Sequence, residues 1–223
     1  MMIDTIIFDL DGTLLNTLDD LTDSVNYVME QYGLPKHTIA EIRGYVGNGA
    51  AKLIERAVPD GAGNPEYAKM LEMFREHYAL HCEDKAAPYE GVIELLASLK
   101  ESGYQLAIVS NKPDRAVKQL YRRYFMEYVH EAIGESDEVK KKPAPDMVYR
   151  ALASLSADAS RAVYVGDSEV DLQTAMNVPM PCISVTWGFR TKDQLLDAGA
   201  VEEKMIKNPQ DLPLLLARLR QAE

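Results

Sequence analysis

The sequence is poor in cysteine and in basic residues. Only two of its 223 residues are cysteines, Cys82 and Cys182. They lie far apart and in no metal-ligand spacing, so they predict no disulfide, zinc site or catalytic cysteine and fit a reducing compartment. Lysine and arginine number 24 against 35 acidic residues, which gives a net charge of -11. Such an acidic chain is a poor candidate for binding nucleic acid through phosphate contacts or for binding an anionic membrane surface.

Long apolar runs are also absent. No run is long enough to cross a bilayer, and the first residues carry neither the basic segment nor the apolar region of a signal peptide. These absences predict a cytoplasmic protein. The four histidines show no ligand spacing and suggest no catalytic role. Hydrophobic residues nevertheless make up 47% of the chain, which is enough for a sizeable core.

The chain is organised around a short apolar run that ends in two aspartates. Residues 3–8 predict a buried strand, and Asp9 and Asp11 follow at its carboxyl end, where parallel sheets carry their chemistry. Two carboxylates this close repel each other unless a cation or a proton relieves the repulsion. Gly12 permits a turn that a Cβ would hinder, and the Thr13 hydroxyl can hold that turn. Taken alone, the segment would also fit an ordinary junction between a strand and a turn, where Asp and Gly are common.

Helix and strand patterns divide the rest of the chain into two parts. Residues 15–85 contain only helix patterns, whereas helices alternate with strands from about Pro88 onward. The alternation predicts an α/β fold, a Rossmann-like parallel sheet with helices on both faces, to which the first strand belongs. The helical part is then an inserted cap domain that closes over the site. The predicted boundaries are residues 1–14 and 88–223 for the core domain and 15–87 for the cap.

Several element boundaries follow from capping and turn signals. Thr17 is the predicted N-cap of a helix over residues 17–32, and Asn64 caps a long helix that Pro65 opens. Strands are predicted at residues 105–109, 128–133, 162–165 and 182–185, and a terminal helix at 211–221.

Polar residues occupy four strand ends or the loops that follow them. They are Asp-x-Asp-Gly-Thr at residues 9–13, Ser110 with Asn111, Lys142 before Pro143, and Gly166-Asp167 with Asp171. In kind, order and spacing these segments resemble the motifs of the haloacid dehalogenase superfamily of phosphatases, and they cover nearly the whole chain. The family position alone selects Lys142 over Lys140 and Lys141.

The resemblance implies a role for each acidic residue. Asp9 would be the nucleophile that forms an aspartyl-phosphate, and Asp11 would serve as general acid and then general base. The side chains of Asp9 and Asp167, with the backbone carbonyl of Asp11, would bind Mg²⁺. Thr13 and Asp171 would position the groups that contact metal and phosphate. Asp171 alone could equally be an acid in the first turn of a helix.

The resemblance also implies a phosphate-binding set. Lys142, Ser110 and the backbone amides near Gly12 and Asn111 would hold the phosphoryl oxygens where charge builds in the transition state. Ser110 and Asn111 on their own would fit a strand end with helix-capping residues.

Asp11 bears on the reaction class. Dehalogenases of the superfamily lack this second aspartate because no leaving alkoxide needs a proton, so its presence favours phosphate ester hydrolysis. Asn16, where relatives often have aspartate, is a small departure that bears on the cap hinge.

Within the superfamily, residues 42–50 and 187–190 resemble segments of phosphoglycolate phosphatases. The implied enzyme is a Mg²⁺-dependent phosphomonoester hydrolase acting on 2-phosphoglycolate or a similar small phosphorylated metabolite.

Specificity is predicted to come from the cap, through Arg43, Gly47 and Asn48. Arg43 either meets a substrate carboxylate or pairs with a cap acid such as Glu41 or Glu55. A pyrophosphatase, a sugar-phosphate phosphatase or a mutase of the same superfamily stays an alternative. A non-catalytic binding module on this fold is a second one. The oligomeric state is left open by the sequence.

Overall fold

The computed structural model describes residues 3–221. The strands are β1 (Thr5–Phe8), β2 (Leu15–Asn16), β3 (Ala87–Pro88), β4 (Gln105–Pro113), β5 (Glu131–Glu135), β6 (Ala162–Gly166), β7 (Cys182–Val185) and β8 (Met205–Ile206). The α-helices are α1 (Leu18–Gln31), α2 (Ile39–Tyr45), α3 (Ala50–Ala57), α4 (Tyr67–His81), α5 (Val92–Glu101), α6 (Asp114–Leu120), α7 (Asp146–Ser154), α8 (Glu169–Asn177), α9 (Lys192–Asp197) and α10 (Asp211–Gln221).

Six strands form one parallel sheet in the order β5-β4-β1-β6-β7-β8. The strand that leads to Asp9 is therefore central, with β4 on one side and β6 on the other. All four residues of β1 are buried, as expected for a strand covered on both faces. The carboxyl ends of these three neighbouring strands meet at one edge of the sheet. The predicted α/β fold with a parallel sheet is confirmed.

The two faces of the sheet carry separate apolar clusters. Ile6 and Phe8 pack into a cluster that includes residues of α5 and α10, whereas Ile7 packs with residues of α7 and α8. Successive side chains of a strand point to opposite faces, so one short strand supports both layers. This double burial fixes the position of the residues that follow β1.

Helices α1 to α4 form an insertion between β2 and β3, which pair with each other antiparallel. The insertion has an apolar cluster of its own, centred on residues such as Val25, Ile54 and Phe74. The prediction that residues 15–85 contain no strand is wrong, because β2 lies there. Two residues are too few to show an alternating pattern. The arrangement agrees with a cap over residues 15–87, and those boundaries stay a prediction.

Two predicted element starts and one predicted capping bond differ from the structure. Thr17 is the N-cap residue of α1, as predicted, but its hydroxyl makes no capping bond and instead donates to Asp11 Oδ1 at 2.6 Å. The long cap helix begins at Tyr67, and Asn64 Oδ1 accepts from the Glu66 amide at 2.9 Å ahead of it. The strand predicted from residue 128 begins at residue 131, because the amides of residues 128 and 129 still bond to Phe125 O.

Within residues 3–221, no helix combines the length and the apolar character that membrane crossing requires. The cytoplasmic location and the absence of nucleic-acid and membrane partners stay predictions.

Candidate active site

Asp9 occupies the centre of the edge formed by the strand ends. Its amide donates to Val165 O at 2.9 Å, which extends the pairing of β1 with β6 and fixes the aspartate beside the sheet. Its Oδ1 accepts from the Leu10 amide at 2.7 Å and lies 2.8 Å from Lys142 Nζ. Burial raises the pKa of Asp9 well above its ordinary value, and Asp171 raises it further against the opposing effect of Lys142. The positive charge around the Asp9 carboxylate is therefore too small to offset its burial and the charge of Asp171.

Lys142 is the buried cation of this site. Its Nζ lies 2.8 Å from Asp9 and 2.8 Å from Asp171, and it donates to the Tyr164 hydroxyl at 2.9 Å. Burial acts to lower the pKa of Lys142, but the charges of Asp171 and Asp9 outweigh it and raise the pKa well above normal. The Asn111 side chain holds the lysine backbone by accepting from its amide and donating to its carbonyl, at 2.8 and 2.9 Å.

The structure distinguishes Lys142 from its lysine neighbours. Lys141 Nζ points to the cap, where it donates to Asn48 O at 3.3 Å, and it lies 3.6 Å from Glu135. Lys140 is exposed. Of the three, it is Lys142 that contacts Asp9, as the motif position predicts.

Asp167 follows β6 and faces Asp9 across the site. Its Oδ2 accepts from the Phe189 amide at 2.7 Å and its Oδ1 from the Thr13 hydroxyl at 3.4 Å. Burial, followed by the charge of Asp171, raises the pKa of Asp167 to about 7. Gly12 has a φ of +86°, and a Cβ there would lie 2.3 Å from Asp167 Oδ2. The glycine of the first motif is thus required both by backbone conformation and by space.

Asp9, Asp167 and Asp171 form a cluster that could hold a metal ion. One oxygen from each lies within 4.8 Å of the others, and all three side chains are buried. Asp171 is already engaged, since its Oδ1 meets Lys142 and its Oδ2 accepts from the amide and hydroxyl of Ser168 at 3.1 and 2.6 Å. Three carboxylates around one lysine leave excess negative charge, which a divalent cation would offset. Carboxylate oxygens are hard donors that suit such an ion.

The predicted phosphate-binding residues of β4 lie beside this cluster. Ser110 and Asn111 are buried and line the same cavity as Asp9 and Lys142. The Ser110 Oγ accepts from the Lys112 amide at 3.2 Å, which shapes the backbone just past the strand centre. The structure therefore brings together residues that the sequence separates by 133 positions, from Asp9 to Lys142.

Asp11 lies apart from the acidic cluster and is paired with a lysine. Its Oδ1 accepts from Lys112 Nζ at 2.7 Å and from the Thr17 hydroxyl at 2.6 Å. The Lys112 side chain is 2% exposed, and its Nζ also donates to the hydroxyl of Tyr78 from cap helix α4. Lys112 does not belong to the residues selected from the sequence. A lysine that ends a buried strand is unusual, and this position is the signal that could have identified it.

A cavity of about 50 Å³ separates the acidic cluster from the cap. The cap contributes apolar side chains, among them Leu21, Leu53 and Phe74, together with the backbone of Gly47. Asn48 does not line the cavity, and its side chain accepts from Arg56 at 2.9 Å. Gly47 is thus placed at the cavity as predicted, while the specificity roles of both residues stay predictions.

Arg43 lies on the outside of α2, exposed and away from the cavity lining. Within the described residues it makes no ion pair with Glu41, which closes a capping box, or with Glu55, which pairs with Lys52. The cation that reaches the cavity from this side is Arg190 of the core. It donates to Arg43 O at 3.2 Å and to Val46 O at 2.8 Å, and so ties the end of α2 to the core. The sequence marks Arg190 only as the last residue of the segment 187–190 that resembles phosphoglycolate phosphatases, with no role of its own.

Comparison with known proteins identifies the family. Residues 6–185 match the model of the haloacid dehalogenase-like hydrolase family. The chain belongs to this family. Its relatives include the phosphoglycolate phosphatases of Mesorhizobium japonicum and Caulobacter vibrioides, each 35% identical. The first alignment covers 82% of this chain and 83% of the relative, and the second covers 88% and 84%.

The fold of this haloacid dehalogenase-like hydrolase also matches solved structures. A crystal structure of a candidate phosphoglycolate phosphatase from Lactobacillus delbrueckii subsp. bulgaricus superposes with a TM-score of 0.92 at 34% identity, over 97% of this chain and 99% of that one. The predicted family and the likeness to phosphoglycolate phosphatases are confirmed. The predicted enzyme class, a phosphoric monoester hydrolase of that kind, is confirmed with them.

Proposed function

We propose that this protein hydrolyses 2-phosphoglycolate, or a similarly small phosphorylated acid, with Mg²⁺ and through an aspartyl-phosphate. The observation that carries the reaction class is that Asp9, Asp11 and Lys142 line one cavity. A binding module would have no use for both aspartates. The names of the relatives support the substrate. A cavity of about 50 Å³, which is room for only a few water molecules, supports a small leaving group.

In the first step Asp9 attacks phosphorus. Lys142 and the Leu10 amide hold Oδ1 of Asp9, which leaves Oδ2 to form the new bond to phosphorus while the bond to the ester oxygen breaks. Asp11 gives its proton to the departing alkoxide. In the second step Asp11 takes a proton from water, the water oxygen attacks phosphorus, and the bond to Asp9 breaks to release inorganic phosphate.

The remaining residues bind charge and hold geometry. Ser110, Lys142 and the amides near Gly12 and Asn111 would hold the phosphoryl oxygens. Mg²⁺, which fits the oxygen donors of the acidic cluster, would be held by the side chains of Asp9 and Asp167 and the carbonyl of Asp11. When bound it would neutralise charge on the phosphoryl group.

The test is phosphate release by the purified protein over a panel of substrates. The panel contains 2-phosphoglycolate, hexose phosphates, pyrophosphate and nitrophenyl phosphate, each assayed with Mg²⁺ and after exhaustive chelation. We expect the highest kcat/KM for 2-phosphoglycolate and loss of turnover without metal. Absence of phosphoglycolate turnover would reject the substrate, and unchanged turnover after chelation would reject the metal. An isomerised sugar phosphate without phosphate release would indicate a mutase.

A further inference from the structure

A carboxylate that enters the apolar cap side of this cavity needs a cationic partner, because burying an unpaired charge is costly. Within the described residues, the cationic side chains that line the cavity are Lys112, Lys142 and Arg190. Their hydrogen-bond partners decide which of them is available to a substrate.

Two of these cations have other tasks in the site. Lys142 Nζ has three donors and three acceptors around it, on Asp9, Asp171 and Tyr164. Arg190 uses its Nε and Nη2 on Glu169, at 2.9 and 3.2 Å, and its Nη1 and Nη2 on the backbone carbonyls at the end of α2. Lys142 faces the phosphoryl position, and Arg190 holds the end of α2 and Glu169 with four of its five N–H donors, which leaves one donor on Nη1.

Lys112 is the cation that combines a spare donor with a place beside Asp11. An ammonium group has three donors, and the acceptors of Lys112 Nζ in the described structure are Asp11 Oδ1 and the Tyr78 hydroxyl. The ring of Tyr78 also lies under the ammonium, 4.6 Å from Nζ to the ring centre. Because Tyr78 comes from the cap and Asp11 from the core, Lys112 is held in place where the two parts meet.

The position of Lys112 beside Asp11 determines which group of the substrate Lys112 can bind. In the proposed reaction Asp11 protonates the ester oxygen, and Lys112 Nζ lies 2.7 Å from the Asp11 carboxylate. A group one carbon away from the ester oxygen therefore comes within reach of the ammonium. We propose that Lys112 binds the carboxylate of the leaving group and makes the site selective for phosphate esters of short 2-hydroxy acids. The inference rests on the proposed phosphatase function and adds the residue that selects its substrate.

The test compares 2-phosphoglycolate with 2-phosphoglycolamide, in which a neutral amide replaces the carboxylate. The ratio of their kcat/KM values is measured for the unmodified protein and for Lys112→Met, which keeps the apolar stem and removes the charge. We expect the unmodified protein to favour the carboxylate and the variant to lose about 10- to 100-fold of that preference, as for a lost charged hydrogen bond. Both leaving groups are alkoxides that need Asp11, so an effect of the variant on Asp11 is largely shared by the two esters.

Further variants separate the causes of a change in the ratio. Lys112→Arg keeps the charge and should retain part of the preference. Lys36→Met removes a lysine that is 58% exposed on the cap surface and should leave both rates unchanged. Arg43→Met tests the competing cation and should leave the ratio unchanged.

Three results would overturn the proposal. The first is an equal loss of kcat/KM on both esters in Lys112→Met. The second is a lower ratio of the two kcat/KM values in Arg43→Met but not in Lys112→Met. The third is a ratio of one or less in the unmodified protein. The last measurement needs no variant, so it can overturn the proposal even if the substitution at Lys112 prevents folding. If 2-phosphoglycolate is not hydrolysed but phospholactate is, the proposed substrate fails, and the same ratio measured on phospholactate and its amide still tests Lys112.

Discussion

Replacing Asp167 with asparagine should stabilise the metal-free protein at alkaline pH while it abolishes the response to Mg²⁺. Burial and Asp171 raise the pKa of Asp167 to about 7 from an ordinary 3.8. The folded state therefore binds this proton more tightly than the unfolded state does. The stabilising effect of the protonated carboxyl is present at low pH and is lost as the pH rises through about 7. Asparagine stays neutral throughout and escapes that loss.

The two pKa values fix the size of the effect. Relative to a group that stays neutral, the ionisable Asp167 lowers the free energy of unfolding by about 4 kcal/mol at pH 8. At pH 5, where only the unfolded state is ionised, the loss is about 2 kcal/mol. The neighbouring hydrogen bonds can survive the change. The asparagine Oδ1 can accept from the Phe189 amide, and the Thr13 hydroxyl can turn to accept from the new NH₂ group.

Urea unfolding in the presence of a chelator, at pH 5 and at pH 8, measures this difference. We expect Asp167→Asn to be more stable than the unmodified protein at pH 8, and its advantage to shrink by about 2 kcal/mol at pH 5. Excess Mg²⁺ should stabilise the unmodified protein and leave the variant unchanged. The exposed Asp137→Asn serves as a matched control. A variant that is less stable at pH 8, or an advantage of equal size at both pH values, would refute the reasoning.

Two further predictions concern the reaction itself. Asp11→Asn should slow release of an alkoxide of high pKa by about 10²- to 10⁴-fold and slow release of nitrophenolate far less, since a good leaving group needs little acid help. Equal slowing of the two esters in steady-state kinetics would exclude Asp11 as the acid. Asp9→Asn should form no phosphoenzyme, because an amide is a poor nucleophile. Acid quenching during turnover, followed by mass spectrometry, checks this, and phosphate found on any peptide of the variant would contradict it.

The sequence alone was enough to predict the strands and the acids that follow them. Residues 3–8, 162–165 and 182–185 are predicted as strands because β-branched and aromatic residues are local signals, and the structure has strands at Thr5–Phe8, Ala162–Gly166 and Cys182–Val185. Asp9 and Asp167 come directly after such strands, so their place at one edge follows once the sheet is parallel. Where the local signal is weak, prediction from the sequence failed. The two-residue strands β2, β3 and β8 are too short to have a period, and Thr17 bonds to Asp11 rather than to its helix.

Only the tertiary structure decided which cation serves which acid. The residue types alone do not distinguish Lys142 from Lys141, and only the resemblance to the family motif before Pro143 selects Lys142. In the structure Lys142 contacts Asp9 and Lys141 contacts the cap. Lys112 meets Asp11 across 101 positions, because β4 lies next to β1 in the sheet. Arg43, which the sequence favoured for specificity, lies exposed outside the cavity. Local patterns determine which residues end a strand, whereas pairing between charges depends on strand order and on how the cap packs, which are properties of the whole chain.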